Sequence, residues 1–144
     1  MEISNCINFI LYNAQNSVFG YFKRQLQEFD ITPSQYALLS FLWAQDGQTP
    51  SQLAQAMHLD TSSITGILSR MEKKDLICRV YSQEDRRSVS IHLRDEGKAL
   101  WSQVDKVMEE ANKKITQGLD TAHYQEFLSY LNLIENNSHT NDPA

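Results

Sequence analysis

The tetrapeptide Thr-Pro-Ser-Gln occurs twice, as Thr32-Pro33-Ser34-Gln35 and as Thr49-Pro50-Ser51-Gln52. Each copy has the form of a capping box. Thr is the N-cap, Pro takes the first helical position where its missing N–H is not needed, and Gln reaches back to the cap. Two helix starts this close together leave room for one medium helix and one short one. The first is predicted over 33–45, with Tyr36, Leu38, Leu39, Phe41, Leu42 and Trp43 as its apolar bulk and Asp46-Gly47 as its end. The second covers about 50–57 and is followed by the turn His58-Leu59-Asp60. A third helix then runs over about 61–74, capped by Asp60 or Thr61. The repetition is one of capping chemistry, not of a repeated fold.

In that third helix Ile64, Ile67, Leu68 and Met71 point inward by their spacing. Thr61 stands at its start, and Ser62, Ser63, Thr65, Gly66, Ser69, Arg70 and Lys73 are left outside. The outer face is small and polar at its start and basic at its end. A short helix, a tight turn and a helix with such a face make a helix-turn-helix unit, whose second helix can enter a DNA major groove. Ser and Thr can bond a base or a phosphate, and Arg70 can reach a guanine edge or a phosphate. Thr49 and Ser51, at the start of the short helix, can hold a phosphate on its free N–H groups. An ordinary surface helix accounts for the third helix about as well when that helix is taken alone.

The segment that follows changes the balance. Residues 76–81 and 88–93 read as two short strands, the second cleanly alternating. Between them lies a polar tip, Ser82-Gln83-Glu84-Asp85-Arg86-Arg87. Arg86 and Arg87 on a protruding loop suit the minor groove, where arginine is favoured electrostatically, and Asp85 can orient a guanidinium. A basic hairpin directly after a helix-turn-helix unit is much more specific than either part.

The flanks are helical. Ile3, Ile7, Ile10, Ala14, Val18, Phe22, Leu26 and Phe29 step by three and four, predicting one helix from Ile3 to Phe29. Its wet side (Asn5, Asn8, Asn13, Gln15, Asn16) is polar but uncharged, which reads equally as a protein-facing surface or an odd solvent face. Asp95 caps a helix over 95–117 with Leu100, Trp101, Val104, Val107, Met108, Ala111 and Ile115 inside. Asp120 opens a last helix carrying Tyr124, Phe127, Leu128, Leu131 and Ile134. The expected fold is mainly α with a small two-stranded β-wing. A winged helix-turn-helix region spans 32–94, a helical dimerisation region spans 1–31 and 95–136, and 137–144 is a flexible tail.

Net charge is −5, which by itself argues against nucleic acid. The distribution reverses that argument. Residues 1–49 carry 2 basic and 4 acidic groups, 50–94 carry 7 and 5, and 95–144 carry 4 and 9. The positive excess is confined to the middle of the chain. Cys6 and Cys78 are too few for a disulfide scaffold or a Cys-rich zinc site. No stretch approaches the roughly 18 apolar residues of a membrane span, and the N-terminus lacks a basic leader, so the expected location is cytoplasmic. The four histidines, His58, His92, His123 and His139, show no metal-ligand spacing, and no nucleophile or phosphate-loop motif is present. Neither an enzyme nor a bound cofactor is expected.

The run from Leu59 through Glu72, then Asp75-Leu76-Ile77-Cys78-Arg79, resembles the recognition helix and first wing strand of the MarR family. Glu84 to Val89 and Leu93-Arg94-Asp95-Glu96-Gly97 are similar to its Asp-x-Arg wing and the start of its fifth helix. The likeness covers about 3–136 and is most specific over 59–97. Arg94 departs from the family's usual Thr. The resemblance implies a homodimeric transcription regulator, often a repressor that leaves its palindromic operator when a small molecule or oxidant binds. It also implies that Asp85 holds Arg87, that Arg87 probes the minor groove, and that the terminal helices pair.

For the signal, the resemblance offers two readings. Some members sense organic hydroperoxides through a cysteine held by two tyrosines. Aligned on Leu11-Tyr12 and Ile31 to Tyr36, that cysteine falls on Asn8, not Cys6. One tyrosine is kept as Tyr12 and the other falls on Phe22. Others bind aromatic acids through an early arginine, but residues 1–22 contain no Lys or Arg. A phenolic or other neutral aromatic ligand near Asn8, Tyr12, Phe22 and Trp43 fits better, with a core role for Phe22 and Trp43 as the plainer alternative. A winged-helix module that binds protein rather than DNA is a third reading; its wing would lack the arginines.

Overall fold

The structure, a computed structural model, describes residues 1–139. In chain order the elements are α1 (Ile7–Leu26), α2 (Pro33–Ala44), α3 (Pro50–Ala56), α4 (Thr61–Lys73), β1 (Ile77–Tyr81), β2 (Val89–Leu93), α5 (Asp95–Ile115) and α6 (Thr121–His139). The expected mainly α fold with a two-stranded wing is the observed one. One compact unit spans Met1–Glu109 and a second begins at Glu110.

Local chemistry sets the helix starts. Thr32 Oγ1 accepts the Gln35 N–H and Gln35 Oε1 accepts the Thr32 N–H, both at 3.2 Å. Thr49 and Gln52 repeat the exchange at 2.9 and 3.1 Å. Asp120 caps α6 by accepting the His123 N–H at 2.9 Å. The first helix is shorter than expected, because Cys6 is extended and only single tighter turns flank α1 at Ile3–Asn5 and Gln27–Phe29. At α5, Arg94 rather than Asp95 takes the cap position. Its N–H donates to the Leu76 carbonyl, its own carbonyl accepts the Lys98 N–H, and Asp95 is the first helical residue. The last helix runs through His139, so the expected tail is helical over residues 137–139, and residues 140–144 lie outside the described residues.

The core of the first unit joins Leu38, Leu39 and Leu42 of α2, Leu53 of α3, Ile64, Ile67, Leu68 and Met71 of α4, Ile77 and Ile91 of the wing, and Val104 and Met108 of α5. Fully burying a Leu or Ile side chain contributes about 1.5–3 kcal/mol. Trp101 and Ile115, expected inside, are exposed. No residue of α6 is buried.

A two-stranded ribbon is marginal in isolation. This one, paired antiparallel from Ile77↔Leu93 to Tyr81↔Val89, is anchored by the segment after α2. Gly47 N–H donates to the Ile91 carbonyl at 3.0 Å, and Ile91 N–H donates to Gln48 at 2.8 Å. Asp46 Oδ1 accepts the Leu93 N–H at 2.8 Å. Gly47 has φ 80°, in the left-handed region, and a side chain there would press on the His92 ring.

The start of α5 lies against the start of β1. Gly97 is buried, and a Cβ on it would collide with the Leu76 carbonyl oxygen. The Trp43 indole N–H donates to the Gly97 carbonyl at 2.9 Å. In an open helix Gly→Ala stabilises by about 1 kcal/mol. At this junction Gly97→Ala is expected to destabilise by about 1–3 kcal/mol, as overpacking does. Urea unfolding decides the sign, and a stabilised variant would disprove the close approach.

Candidate nucleic-acid interface

The four buried residues of α4 turn its other side to solvent. Thr61, Ser62, Ser63, Thr65, Arg70 and Lys73 are exposed, and Gly66 and Ser69 are half-buried, as their spacing predicts. Gly66 seats Arg70: the guanidinium folds back over it, with Nη1 3.3 Å from where a Cβ would stand. Thr65 Oγ1 donates to the Thr61 carbonyl at 2.7 Å, so its proton is engaged within the helix.

Asp60 occupies the leading end of α4. Its Oδ1 accepts the Ser63 N–H at 2.7 Å and the Ser62 hydroxyl at 3.0 Å. The Ser63 backbone N–H, followed by the Ser63 and Ser62 side chains, holds the Asp60 carboxyl below its ordinary value of 3.8. Turn and helix are set by this cap and by His58, whose φ of 53° lets the chain reverse. At α3 the capping box consumes the Thr49 N–H and the Gln52 N–H, two donors that a phosphate would otherwise use.

The wing folds back toward these helix starts. Thr49, Ser51, Thr61 and Arg87 line one groove of about 470 Å³, floored by Ile64 and Val89. Arg86 instead lines a separate hollow with Tyr81, Ser82 and Gln83. The wing arginines therefore diverge, one into the groove and one away from it. Asp85 does not hold a guanidinium. Its Oδ1 accepts the backbone N–H of Arg87 at 3.0 Å, and among the described residues it forms no ion pair. The physical reason is local: an Asp side chain meets the backbone two residues on more readily than a long, solvated arginine tip. Asp85 shapes the wing turn rather than aiming Arg87.

The residues expected around a ligand do not converge within the single chain. Asn8 and Tyr12 are exposed one turn apart on α1. Phe22 lies about 15 Å further along that helix, packed on the core and edge-on to Tyr21. Trp43 is engaged with Gly97 and Tyr36. Both free cysteines are half-buried, Cys6 at the N-cap of α1 and Cys78 in β1 opposite His92. Among the described residues no three His, Cys, Asp or Glu side chains come together as a metal site.

One arrangement escaped the sequence reading. Ser90 Oγ lies 3.0 Å from His92 Nε2, and His92 Nδ1 lies 3.3 Å from Asp46 Oδ2. The order is that of a Ser-His-carboxylate relay, but catalysis also needs a place for substrate. Asp46 is meanwhile tied to the Leu93 N–H, so the chain of bonds fastens the wing. The Asp-Gly pair signals a turn; its partner in β2 is too distant in sequence to be read from it.

Comparison with known proteins places the chain in a family. The profile of the MarR family matches residues 31–89. The organic hydroperoxide resistance transcriptional regulator of Bacillus subtilis is 35% identical over 100 residues, 69% of this chain and 68% of that one. The repressor CouR bound to a 23-mer DNA duplex superposes with a TM-score of 0.85 at 27% identity, over 93% of this chain and 95% of that one. Bordetella bronchiseptica BpsR, described for regulation of its DNA binding by 6-hydroxynicotinic acid, shares the fold. Its TM-score is 0.86 at 20% identity, over 94% and 96% of the two chains.

Because folding lowers the Asp60 pKa, the cap's contribution is present above the ordinary value and is lost as pH falls through the lowered one. Asp60→Asn, which keeps a capping oxygen but no charge, is expected to melt below the parent at pH 7. The gap should close between pH 7 and an acidic pH below that lowered value. Paired thermal melts at the two pH values test this; a gap that persists in acid would rule out the charge as its source.

Proposed function

Since this chain belongs to the MarR family and is a DNA-binding transcriptional regulator rather than an enzyme, we propose that it acts as a homodimeric repressor on a palindromic operator. The observation that carries this reading is the shared groove, which brings Thr49, Ser51, Thr61 and Arg87 together beside the outward face of α4. In this reading α4 enters the major groove, with Thr61, Ser62, Ser63, Thr65, Gly66 and Ser69 close to base edges. Arg70 reads a base, Lys73 and Arg86 meet phosphates, and Arg87 reaches the minor groove.

Dimerisation is supported by apolar side chains left in water. Ile7, Ile10 and Phe19 of α1, Trp101 of α5, and Phe127 and Leu133 of α6 are all exposed. A second copy covers them and sets two recognition helices about 34 Å apart, one DNA turn. The repressor role follows the DNA-bound CouR neighbour. The effector is a small phenolic or other aromatic molecule, in line with the BpsR comparison. The second copy supplies the walls that Asn8 and Tyr12 lack in one protomer. No described helix is long and apolar enough to cross a membrane, which fits a cytoplasmic regulator.

A second reading is favoured by the Bacillus subtilis relative: a thiol sensor of organic hydroperoxides using Cys6. Against it stand Asn8 at the position the resemblance gives to the reactive cysteine and Phe22 at that of the second tyrosine. Cumene hydroperoxide separates the two. Release of DNA by peroxide that disappears in Cys6→Ser would establish the thiol reading, whereas release by phenols alone establishes the first.

Fluorescence anisotropy on the DNA upstream of its own gene tests the main proposal. Arg87→Ala is expected to abolish selective binding, and Arg70→Ala to cost about 1–3 kcal/mol. Unaltered binding by Arg87→Ala, or equal weak binding to a scrambled duplex, would favour the protein-interaction module instead.

A further inference from the structure

Residues 1–49 contain only two cations, Lys23 and Arg24, and both line one pocket of about 450 Å³ together with Lys74 from the end of α4. These residues all belong to the Met1–Glu109 unit. One carboxylate, Asp30, is present, so three positive groups and one negative leave the lining at +2 in a chain whose net charge is −5.

The three cations are not equally engaged. Lys74 Nζ donates to the Asp30 carbonyl oxygen and to Gln35 Oε1, and stands 3.6 Å from the Asp30 carboxylate. Gln35 is the one buried polar residue among the described residues, so this wall is fixed. The Asp30 side chain is 93% exposed, and an exposed pair at that distance contributes little. Arg24 lies over the Tyr21 ring at 5.9 Å, a contact that leaves its N–H fork unspent. Lys23 forms no ion pair or hydrogen bond among the described residues. Thr32 Oγ1 accepts the Gln35 N–H and retains its own proton to donate. Ile31 adds an apolar surface.

We propose that this pocket binds a phosphate dianion carried on a small organic body. A phosphomonoester carries about −1.5 to −2 at neutral pH and three acceptor oxygens, which matches the net +2 of the lining. Arg24 presents a planar fork to two of those oxygens, while Lys23 and Lys74 act as point charges. The site is separate from the groove shared by Thr49 and Arg87, and its occupancy does not depend on the DNA-binding reading.

Isothermal titration calorimetry on the full chain, with phenyl phosphate, inorganic phosphate and phenol, tests the proposal. Saturable binding of phenyl phosphate in this pocket at one per chain is expected; any heat with phenol belongs to the separate effector site and is left unaltered by the substitutions that follow. The double substitution Lys23→Gln and Arg24→Gln, on exposed helix positions, should weaken binding about tenfold or more with an unchanged melting temperature. Tighter binding of phenyl phosphate than of inorganic phosphate would support the monoester. Equal affinity would overturn the organic body and assign the seat to free phosphate. No saturable heat with either phosphate, or an affinity unaltered by the double substitution, would overturn the site.

Discussion

Everything on the candidate DNA face depends on the burial of Ile64, Ile67, Leu68 and Met71. A helix turns about 100° per residue, so fixing one apolar stripe fixes the direction of every other side chain. The stripe leaves no choice about where Ser62, Thr65 or Arg70 points. Both ends of α4 are then locked. Asp60 closes the leading end through Ser63, and at the trailing end the Leu76 N–H returns to the Met71 carbonyl at 3.1 Å while Asp75 takes a φ of 58°. The ion pair between Glu72 and Arg79, at 2.9 Å, joins the helix to the strand that follows. The outward face of α4 is a consequence of core packing.

The wing obeys a second constraint. Five residue pairs of ribbon cannot hold a loop in place unaided. The linker after α2 supplies the missing support through Gly47, Gln48 and Asp46, so the wing is fastened to the helical core on the side away from its tip. The Trp43 indole ties α2 to the start of α5 through the Gly97 carbonyl, and Gly97 lies against the Leu76 carbonyl just before β1. With its base held this way, Arg87 comes to share a groove with Thr49 and Thr61, although these residues are far apart in the chain.

Much of this was legible from residues alone, and the pattern of successes is physical. Helix starts were readable because Thr32, Thr49, Asp60 and Asp120 act within one turn of themselves. The faces of α4 were readable because periodicity is local. Failures fall where the partner is remote or absent. Trp101 and Ile115 belong to an apolar stripe, but a stripe does not say whether it is covered by its own chain. The Asp46 clamp and the Trp43–Gly97 contact depend on pairings 47 and 54 residues apart in the chain. Asp85 was misjudged for a different reason. Charge suggested a guanidinium partner, whereas in a turn this tight the nearest donor is the backbone.

An acidic chain that binds DNA must keep its few cations where phosphates can reach them. Arg70, Lys73, Arg86 and Arg87 are all exposed, whereas Arg79 is half-buried against Glu72 and Lys74 is turned to Asp30 and Gln35. If these four cations of the chain meet phosphates as proposed, they give only a modest sequence-independent attraction, since each phosphate neutralised adds one increment to the salt-dependent part of affinity. The carboxylates of Asp60, Glu84 and Asp85 beside them reduce it further. Such a surface gains little from charge alone. On the proposed reading, binding depends on placing small side chains and one seated guanidinium against the right bases, so selectivity would rest on the rigidity of α4 and of the clamp beneath the wing.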